Sequence, residues 1–453
     1  MMRIFFMLVL VFSGLLATSA GRLSAAEVPG GPVFDARFLG SYGFLSGREP
    51  QISAEESELL KRLLPLIREN KTTEALVLLR PRVTTNSSAA LDFLLGNLYF
   101  QSGQEQAAAQ AYRIALDKFP DFVRARDNLG LLLVSQGRYE EAQPLLAKVI
   151  ALGGGTGRTY GLLGYCYLET DFPLAAQLAY QNAVMLEPEV RDWQLGLAKA
   201  WLAQERYHEA AALFGELIMR NPDETDYWLL QANAWLALGD NEKAMVNLEA
   251  LRLAGKAPPA ALGTLANLYF NAGLYARAAP VYREALRTGG PAQAGNALQA
   301  ADVMVQLNRI DEARALAADL HRMQDHLERV HHTRLLVLEA RLAIVEGDNA
   351  RARKLLETAL EQNPRDGGAL LALGRLRAAA GDAEGAILLF QRAAAERDHR
   401  FNALVEEARV RVERGDYQRA LPLIEAALEE RSSNELRRFL REVRQAAGMT
   451  PGR

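Results

Sequence analysis

The sequence predicts an all-α solenoid of helix-turn-helix units, and three features carry that prediction. Small residues recur 34 positions apart as Gly96, Gly130 and Gly164, and the phase continues through Ala198, Ala232 and Ala266. A second ladder in the same register runs Ala108, Ala142, Ala176, Ala210, Ala244 and Ala278. Aromatic rings keep the step as well. Tyr99, Tyr167, Trp201, Trp235 and Tyr269 stand three residues after the first ladder, and Tyr112, Tyr180, Phe214 and Tyr282 four after the second.

Large apolar and small residues alternate at steps of three and four with no period-two run, so each unit reads as two helices. The small residues let the two helices approach closely, and a ring three or four positions along the same face fills the space left beside them. Pro120, Pro188 and Pro222 end second helices, because proline lacks the N–H donor and clashes with the preceding turn. Units begin near Glu56, Ala89, Val123, Gly157, Arg191, Thr225, Pro259, Ala294, Thr333, Gly367 and Phe401, those at Glu56 and Ala294 being degenerate. The step slips by one residue around Gln293 and by several between Met323 and His332, where an extended second helix or an inserted turn is expected. Beyond the last unit, Asn434 to Ala447 carries Leu436, Phe439, Leu440 and Val443 on one face and charges on the other, as a terminal capping helix requires.

These residues resemble the tetratricopeptide repeat, with Leu-Gly and then Tyr in the first helix and Ala, an aromatic, Ala and Pro in the second. Ala89 to Phe122 matches through Leu95, Gly96, Tyr99, Ala108, Tyr112, Ala115 and Pro120; Gly157 to Val190 matches through Tyr160, Leu163, Gly164, Tyr167, Ala176, Tyr180, Ala183 and Pro188. The resemblance implies a right-handed α-solenoid of about eleven repeats with a C-terminal capping helix. It gives an N-terminal array over residues 56–332, a C-terminal array over 333–433, and a cap and tail over 434–453.

Composition agrees, since 49% hydrophobic and 24% charged residues supply a continuous apolar interior. A net charge of −3 argues against a nucleic-acid binder relying on bulk positive charge. The first residues read as a secretory signal peptide over residues 1–26. Arg3 precedes an apolar run from Ile4 to Leu16, and Ala20 or Ala26 offers the cleavage point. The run is shorter than the roughly 20 residues that span a bilayer, and no cysteine follows it for lipid attachment. A periplasmic protein is expected, the alternative being a membrane anchor through an uncleaved N-terminus. Residues 27–55 are rich in Gly and Pro yet carry Phe34, Phe38, Tyr42, Phe44 and Leu45, too aromatic for an ordinary disordered leader. The preferred expectation is that they fold back into the protein's own groove or over the first repeat, the alternative being an anchor for another protein.

Motifs of chemistry are weak. Cys166 is the single cysteine and reads as a small core or groove residue without an activating base. Gly153-Gly154-Gly155-Thr156-Gly157 occupies an inter-repeat turn and lacks the Lys-Ser or Lys-Thr of a phosphate loop. His321, His326, His331 and His332 stand at steps that scatter side chains around a helix, unlike a metal set. No cofactor, metal or catalytic set is expected.

Function must then come from surface. In the family, first-helix residues that point away from the second helix line a concave groove. The position after the first ladder reads Asn97, Leu131, Tyr165, Lys199, Asn233 and Asn267, then Asp302, Arg341, Arg375 and Arg409. The asparagines offer donor and acceptor to an extended peptide backbone, with Phe100 and Phe270 beside them as apolar contact. The arginines present a row suited to carboxylates, unless Glu339, Glu406 or Glu407 neutralises it. Arg124 and Arg158 repeat near the start of successive first helices. The Lys and Asn set with which chaperone adaptors hold a terminal carboxylate is absent, Phe93, Asp127, Gly161 and Leu195 standing there. The expected function is a noncatalytic scaffold of the bacterial envelope that binds another envelope protein or a peptide segment in the groove, with no nucleic acid; a homo-oligomer is compatible with it. The alternatives are an accessory subunit of an envelope machine (energy-coupled transport, polysaccharide export or outer-membrane assembly) and, further off, an enzyme or sugar-binding protein.

Overall fold

Helix pairs form because each repeat supplies two amphipathic stretches of about thirteen residues separated by a tight turn. The turn needs a backbone conformation that favours glycine. Gly103, Gly137, Gly239, Gly273, Gly347, Gly381 and Gly415 all adopt positive φ there, and Asp171, Glu205 and Asn308 take the same left-handed geometry where glycine is missing. The computed structural model describes residues 49–448.

In chain order the pairs are α1 (Ala54–Arg68) and α2 (Thr72–Leu79), α3 (Ala89–Gln101) and α4 (Glu105–Lys118), α5 (Val123–Ser135) and α6 (Tyr139–Ala151), α7 (Gly157–Glu169) and α8 (Pro173–Leu186), α9 (Arg191–Ala203) and α10 (Tyr207–Arg220), and α11 (Thr225–Ala237) and α12 (Asn241–Leu253). They continue with α13 (Pro259–Asn271) and α14 (Tyr275–Gly289), α15 (Ala294–Gln306) and α16 (Ile310–Arg322), α17 (Arg329–Val345) and α18 (Asn349–Gln362), α19 (Gly367–Ala379) and α20 (Ala383–Ala394), α21 (Arg400–Glu413) and α22 (Tyr417–Glu430), and the single α23 (Asn434–Ala446). The fold is an all-α solenoid, and the described residues contain no strand.

Two compact units are present, one ending at Asn247 and one beginning at Leu248, so the division falls within α12. The slip between Met323 and His332 lies inside the second unit. There a 3-10 turn over Gln324–His326 follows α16, and α17 is lengthened to 17 residues. The slip is thus an inserted turn plus an extension of the next first helix.

The core of each unit is built where a first helix crosses its second. Ala108, Ala142, Ala176 and Ala210 in the first unit, and Ala278 in the second, are fully buried. The glycines of the first ladder lie directly under a bulky side chain of their own second helix. A Cβ on Gly96 would meet Tyr112 Cε1 at 2.6 Å, one on Gly130 would meet Leu146 Cδ2 at 2.7 Å, and one on Gly374 would meet Phe390 Cε1 at 2.4 Å. Such approaches leave no room for even one methyl, so the residue type follows from the ring that covers it. Pro120, Pro188 and Pro222 stand just beyond the ends of α4, α8 and α10. At the far end, Ser433 accepts from the Leu436 N–H to start α23, which buries Leu436 and Val443 against the last pair.

Replacing Ala176 by Leu places three extra carbons in this closed crossing. The expected cost is about 1–3 kcal/mol, read as a lower denaturation midpoint with faster amide exchange in α7 and α8; an unchanged midpoint would show that the crossing is elsewhere.

Candidate functional site

The ninth residue of successive first helices in the first unit is Asn97 on α3, Leu131 on α5, Tyr165 on α7, Lys199 on α9 and Asn233 on α11. Their environments differ despite the shared register. Asn97 is fully buried. The Tyr112 hydroxyl donates to its Oδ1 at 2.9 Å, and Asn128 Nδ2 lies 3.3 Å from the same oxygen. In the second unit the Tyr282 hydroxyl donates to Asn267 Oδ1 at 2.5 Å. A tyrosine carried into a helix crossing needs an acceptor for its buried O–H, and an asparagine fifteen residues earlier provides it. The expectation of a peptide-facing side chain is therefore corrected for Asn97, and the acceptor of Asn267 is engaged internally. Phe270 is corrected likewise, since it is buried and packs edge-on against Tyr275 at 5.2 Å. Phe100 is half-buried against the core of the first unit.

The basic residues are also engaged. Arg124 meets Glu49, with Nη2 donating to Oε2 at 2.7 Å and Nε 2.7 Å from Oε1. Arg158 Nη2 donates to Asp127 Oδ2 at 2.9 Å, while the Thr159 hydroxyl holds the other oxygen at 3.0 Å. In the second unit, Arg341 bonds Asp302 at 3.0 Å, and Arg375 and Arg409 share Glu406 at 2.9 and 3.7 Å. Of the two readings left open for the arginine row, the ion-paired face is the one observed. Its acceptors are partly those read from the sequence: Glu406 serves, whereas Glu339 pairs with His321 and Glu407 with Arg411. Arg375 and Arg409 are 56% and 60% exposed, so these pairs contribute little stability.

What remains is a cluster on α7, α9 and α11. Lys199 is half-buried and forms no ion pair among the described residues. Burial pushes its ammonium below the usual lysine range, opposed by the charges of Asp226, Glu169 and Asp192. Burial likewise pushes the Asp192 and Asp226 carboxyls up, with Lys199 opposing the rise at Asp226. Tyr165 stands edge-on to Tyr139 at 5.5 Å, its hydroxyl pushed well above the usual range by burial and by the hydrogen bond with Tyr139. Asn233 is half-buried and makes no hydrogen bond among the described residues; the residue fifteen later is Leu248, so no tyrosine hydroxyl claims it. Sequence reasoning missed Asp192 and Asp226. Their signal was the second position of each first helix, which reads Arg124, Arg158, Asp192, Asp226 and so reverses charge halfway along the unit.

Elsewhere, burial pushes the Cys166 thiol up to about 12, which keeps it protonated and unreactive. Thr156 at the end of the glycine run caps α7. Among the described residues no group of His, Cys, Asp or Glu could hold a metal ion, and no helix is long and apolar enough to cross a membrane.

The raised carboxyls fix a pH dependence. The folded chain holds the Asp226 proton more tightly than the unfolded chain, so the charged carboxylate costs stability. That cost is complete above the folded value and disappears below the usual 3.8. Asp226→Asn should therefore raise the melting temperature at pH 7 and leave it unchanged near pH 3. A lowered melting temperature at pH 7 would mean that Asp226 is held by a favourable pairing.

Models of the tetratricopeptide repeat match residues 93–156, 169–234, 260–289 and 337–400. A solved tetratricopeptide-repeat protein from Parabacteroides merdae is 18% identical and covers 52% of this chain and 94% of its own, with a TM-score of 0.37. YrrB, described as a tetratricopeptide-repeat protein with an unusual peptide-binding site, is 20% identical over 42% of this chain and 91% of its own, with a TM-score of 0.36. The general transcriptional corepressor trfA of Dictyostelium discoideum is 28% identical over 98 residues, 22% of this chain; the match spans only 7% of that relative. With the ladder, the crossings and the family models in agreement, the chain belongs to the tetratricopeptide-repeat family, whose fold implies a protein–protein interaction scaffold.

Proposed function

We propose that the chain is a noncatalytic scaffold of the bacterial cell envelope which binds an extended segment of another envelope protein along α7, α9 and α11. The observation that carries this reading is Lys199. An ammonium held half-buried without an ion pair among the described residues, in the field of two carboxyls that are themselves raised by burial, costs stability, and such costs collect where a surface binds something. Lys199 and Asn233 offer donors, Asn233 and the aspartates offer acceptors, and Leu202 and Leu236 lie one turn further along the same helices. This set matches the alternating N–H and C=O groups of an extended backbone and does not require a terminal carboxylate.

A specific observation favours a second reading, an accessory subunit of an envelope machine touched on its outer helices. Leu174, Leu178 and Met185 on α8 and Met219 on α10 are 63%, 55%, 71% and 78% exposed. On α8 they oppose the buried Ala176, Tyr180 and Ala183, and Met185 and Met219 are one repeat apart.

Photo-crosslinking residues placed at Asn233 and at Leu178 in cells separate the two. The groove reading expects adducts to one envelope protein from Asn233, abolished by Lys199→Gln with affinity reduced about tenfold. Adducts from Leu178 alone would move the function to the outer helices. For the envelope itself, intact-mass measurement of the periplasmic fraction should find an amino terminus near Gly21 or Glu27. A full-length chain recovered with membranes would replace export with anchoring.

A further inference from the structure

Helix α8 carries no charged residue, whereas every other second helix described has at least one. It also exposes four large apolar side chains, Leu174, Leu178, Met185 and Leu186, while no other described helix exposes more than two. The repeat does not require this surface, because the residues that α8 gives to the helix crossing, Ala176, Tyr180 and Ala183, are buried elsewhere on it. The signal peptide and the aromatic residues from Phe34 to Leu45 lie outside the described residues; the strip's own pattern names its occupant.

Leu174, Leu178, Gln181 and Met185 follow one another at steps of four, three and four, which puts them in one line along the helix. That is the seam spacing of paired helices, and it reads the same in both directions. A seam that is its own reverse is self-complementary about a twofold axis, which an interface between identical copies requires. Antiparallel pairing centred between Ala179 and Tyr180 sets Leu174 against Met185 of the other copy, and Leu178 against Gln181. The two Gln181 residues then lie about 4.5 Å apart along the helix direction. Gln181 is exposed and makes no hydrogen bond among the described residues. Its amide offers donor and acceptor, so the pair can bond across the axis and hold the register. Asn182 beside it is engaged within α8, its Nδ2 donating to the Leu178 carbonyl at 2.8 Å.

The surface is also of the right size. At roughly 200 Å² for a whole large side chain, Leu174, Leu178, Met185 and Leu186, with Met219 one repeat on, expose on the order of 600 Å². A standard interface takes about 800 Å² from each partner, and the exposed Gln181 adds to the apolar total. No charge on α8 has to be stripped of water when this face is covered.

From this we propose that the outer face of α8 is an antiparallel twofold interface with a second copy of the chain. The proposal goes beyond the groove reading, leaves it intact, and gives the outer helices a second copy in place of a different protein.

Sedimentation equilibrium of the purified full chain should give twice the chain's mass at micromolar concentration. Leu178→Glu should weaken the association by about tenfold or more, with circular dichroism showing the helices retained because Leu178 is exposed. Register is read with cysteines, since Cys166 is buried and its thiol, pushed up to about 12, does not compete. Copies carrying Leu174→Cys mixed with copies carrying Met185→Cys should be joined by a short bis-maleimide. Either kind alone should not, because like positions lie about 16 Å apart along an antiparallel pair. Pairing also brings Asp171 toward Glu187 and Glu189 of the other copy, so added salt should tighten the dimer. A monomeric unaltered chain, a dimer indifferent to Leu178→Glu, equal bridging of either cysteine copy with itself, or a dimer loosened by salt would overturn the proposal. So would photo-adducts from Leu178 to a different protein with none between copies. Adducts from Asn233 on α11 test the groove reading separately.

Discussion

At Gly96, Gly130, Gly164 and Gly374 a side chain from the second helix rests on a first-helix residue that must be small, and that contact governs the other features of these repeats. It sets the distance between the paired helices and so decides which residue types can occupy the crossing. The ring of Tyr112 on Gly96 and that of Phe390 on Gly374 leave no space for a Cβ. Because these rings are tyrosines at several repeats, the crossing also fixes polar chemistry. Tyr112 and Tyr282 bring hydroxyls that draw in Asn97 and Asn267. One packing constraint therefore buries Asn97 and occupies the acceptor of Asn267, and leaves half-buried Asn233 without a tyrosine hydroxyl.

Charge in the first-helix row is distributed by the same logic of nearest partners. Arginines one repeat from a carboxylate pair with it, as Arg158 does with Asp127 and Arg341 with Asp302. Where the second position changes from Arg to Asp, at Asp192 and Asp226, the lysine between them remains partly desolvated and lacks a direct ion pair among the described residues. The repeat thus provides a uniform frame, and function lies where the sequence departs from the repeat. Arg124 departs in another way, since its carboxylate comes from Glu49 before the first helix, 75 residues away in sequence.

The fold was legible in the sequence because it is written many times over. The Gly, Ala and aromatic ladders each report the same crossing, and the unit starts at Ala89, Val123, Gly157, Arg191 and Thr225 coincide with helix starts. The positive-φ glycines at Gly103, Gly137, Gly239 and Gly273 formed a further ladder that the sequence displayed and that only the turn geometry explains. The site was less legible. A register assigns a position to the first helix but not its neighbours fifteen or 31 residues away. That is why Asn97 read as surface while Tyr112 and Asn128 enclose it, and why Glu406 could be named as an acceptor for the arginine row but Asp302, the partner of Arg341, could not. Residues Asp192 and Asp226 escaped notice because their importance lies in the lysine between them.

The central claim is that a partner lies on the first helices around Lys199 and not on the outer helices. Hydroxyl-radical footprinting of the chain with and without its crosslinked partner tests this most directly. The account predicts protection of Tyr165, Leu202 and Leu236, with Leu178, Met185 and Met219 as reactive as in the free chain. Protection of Met185 and Met219 with Leu202 and Leu236 unchanged would contradict it.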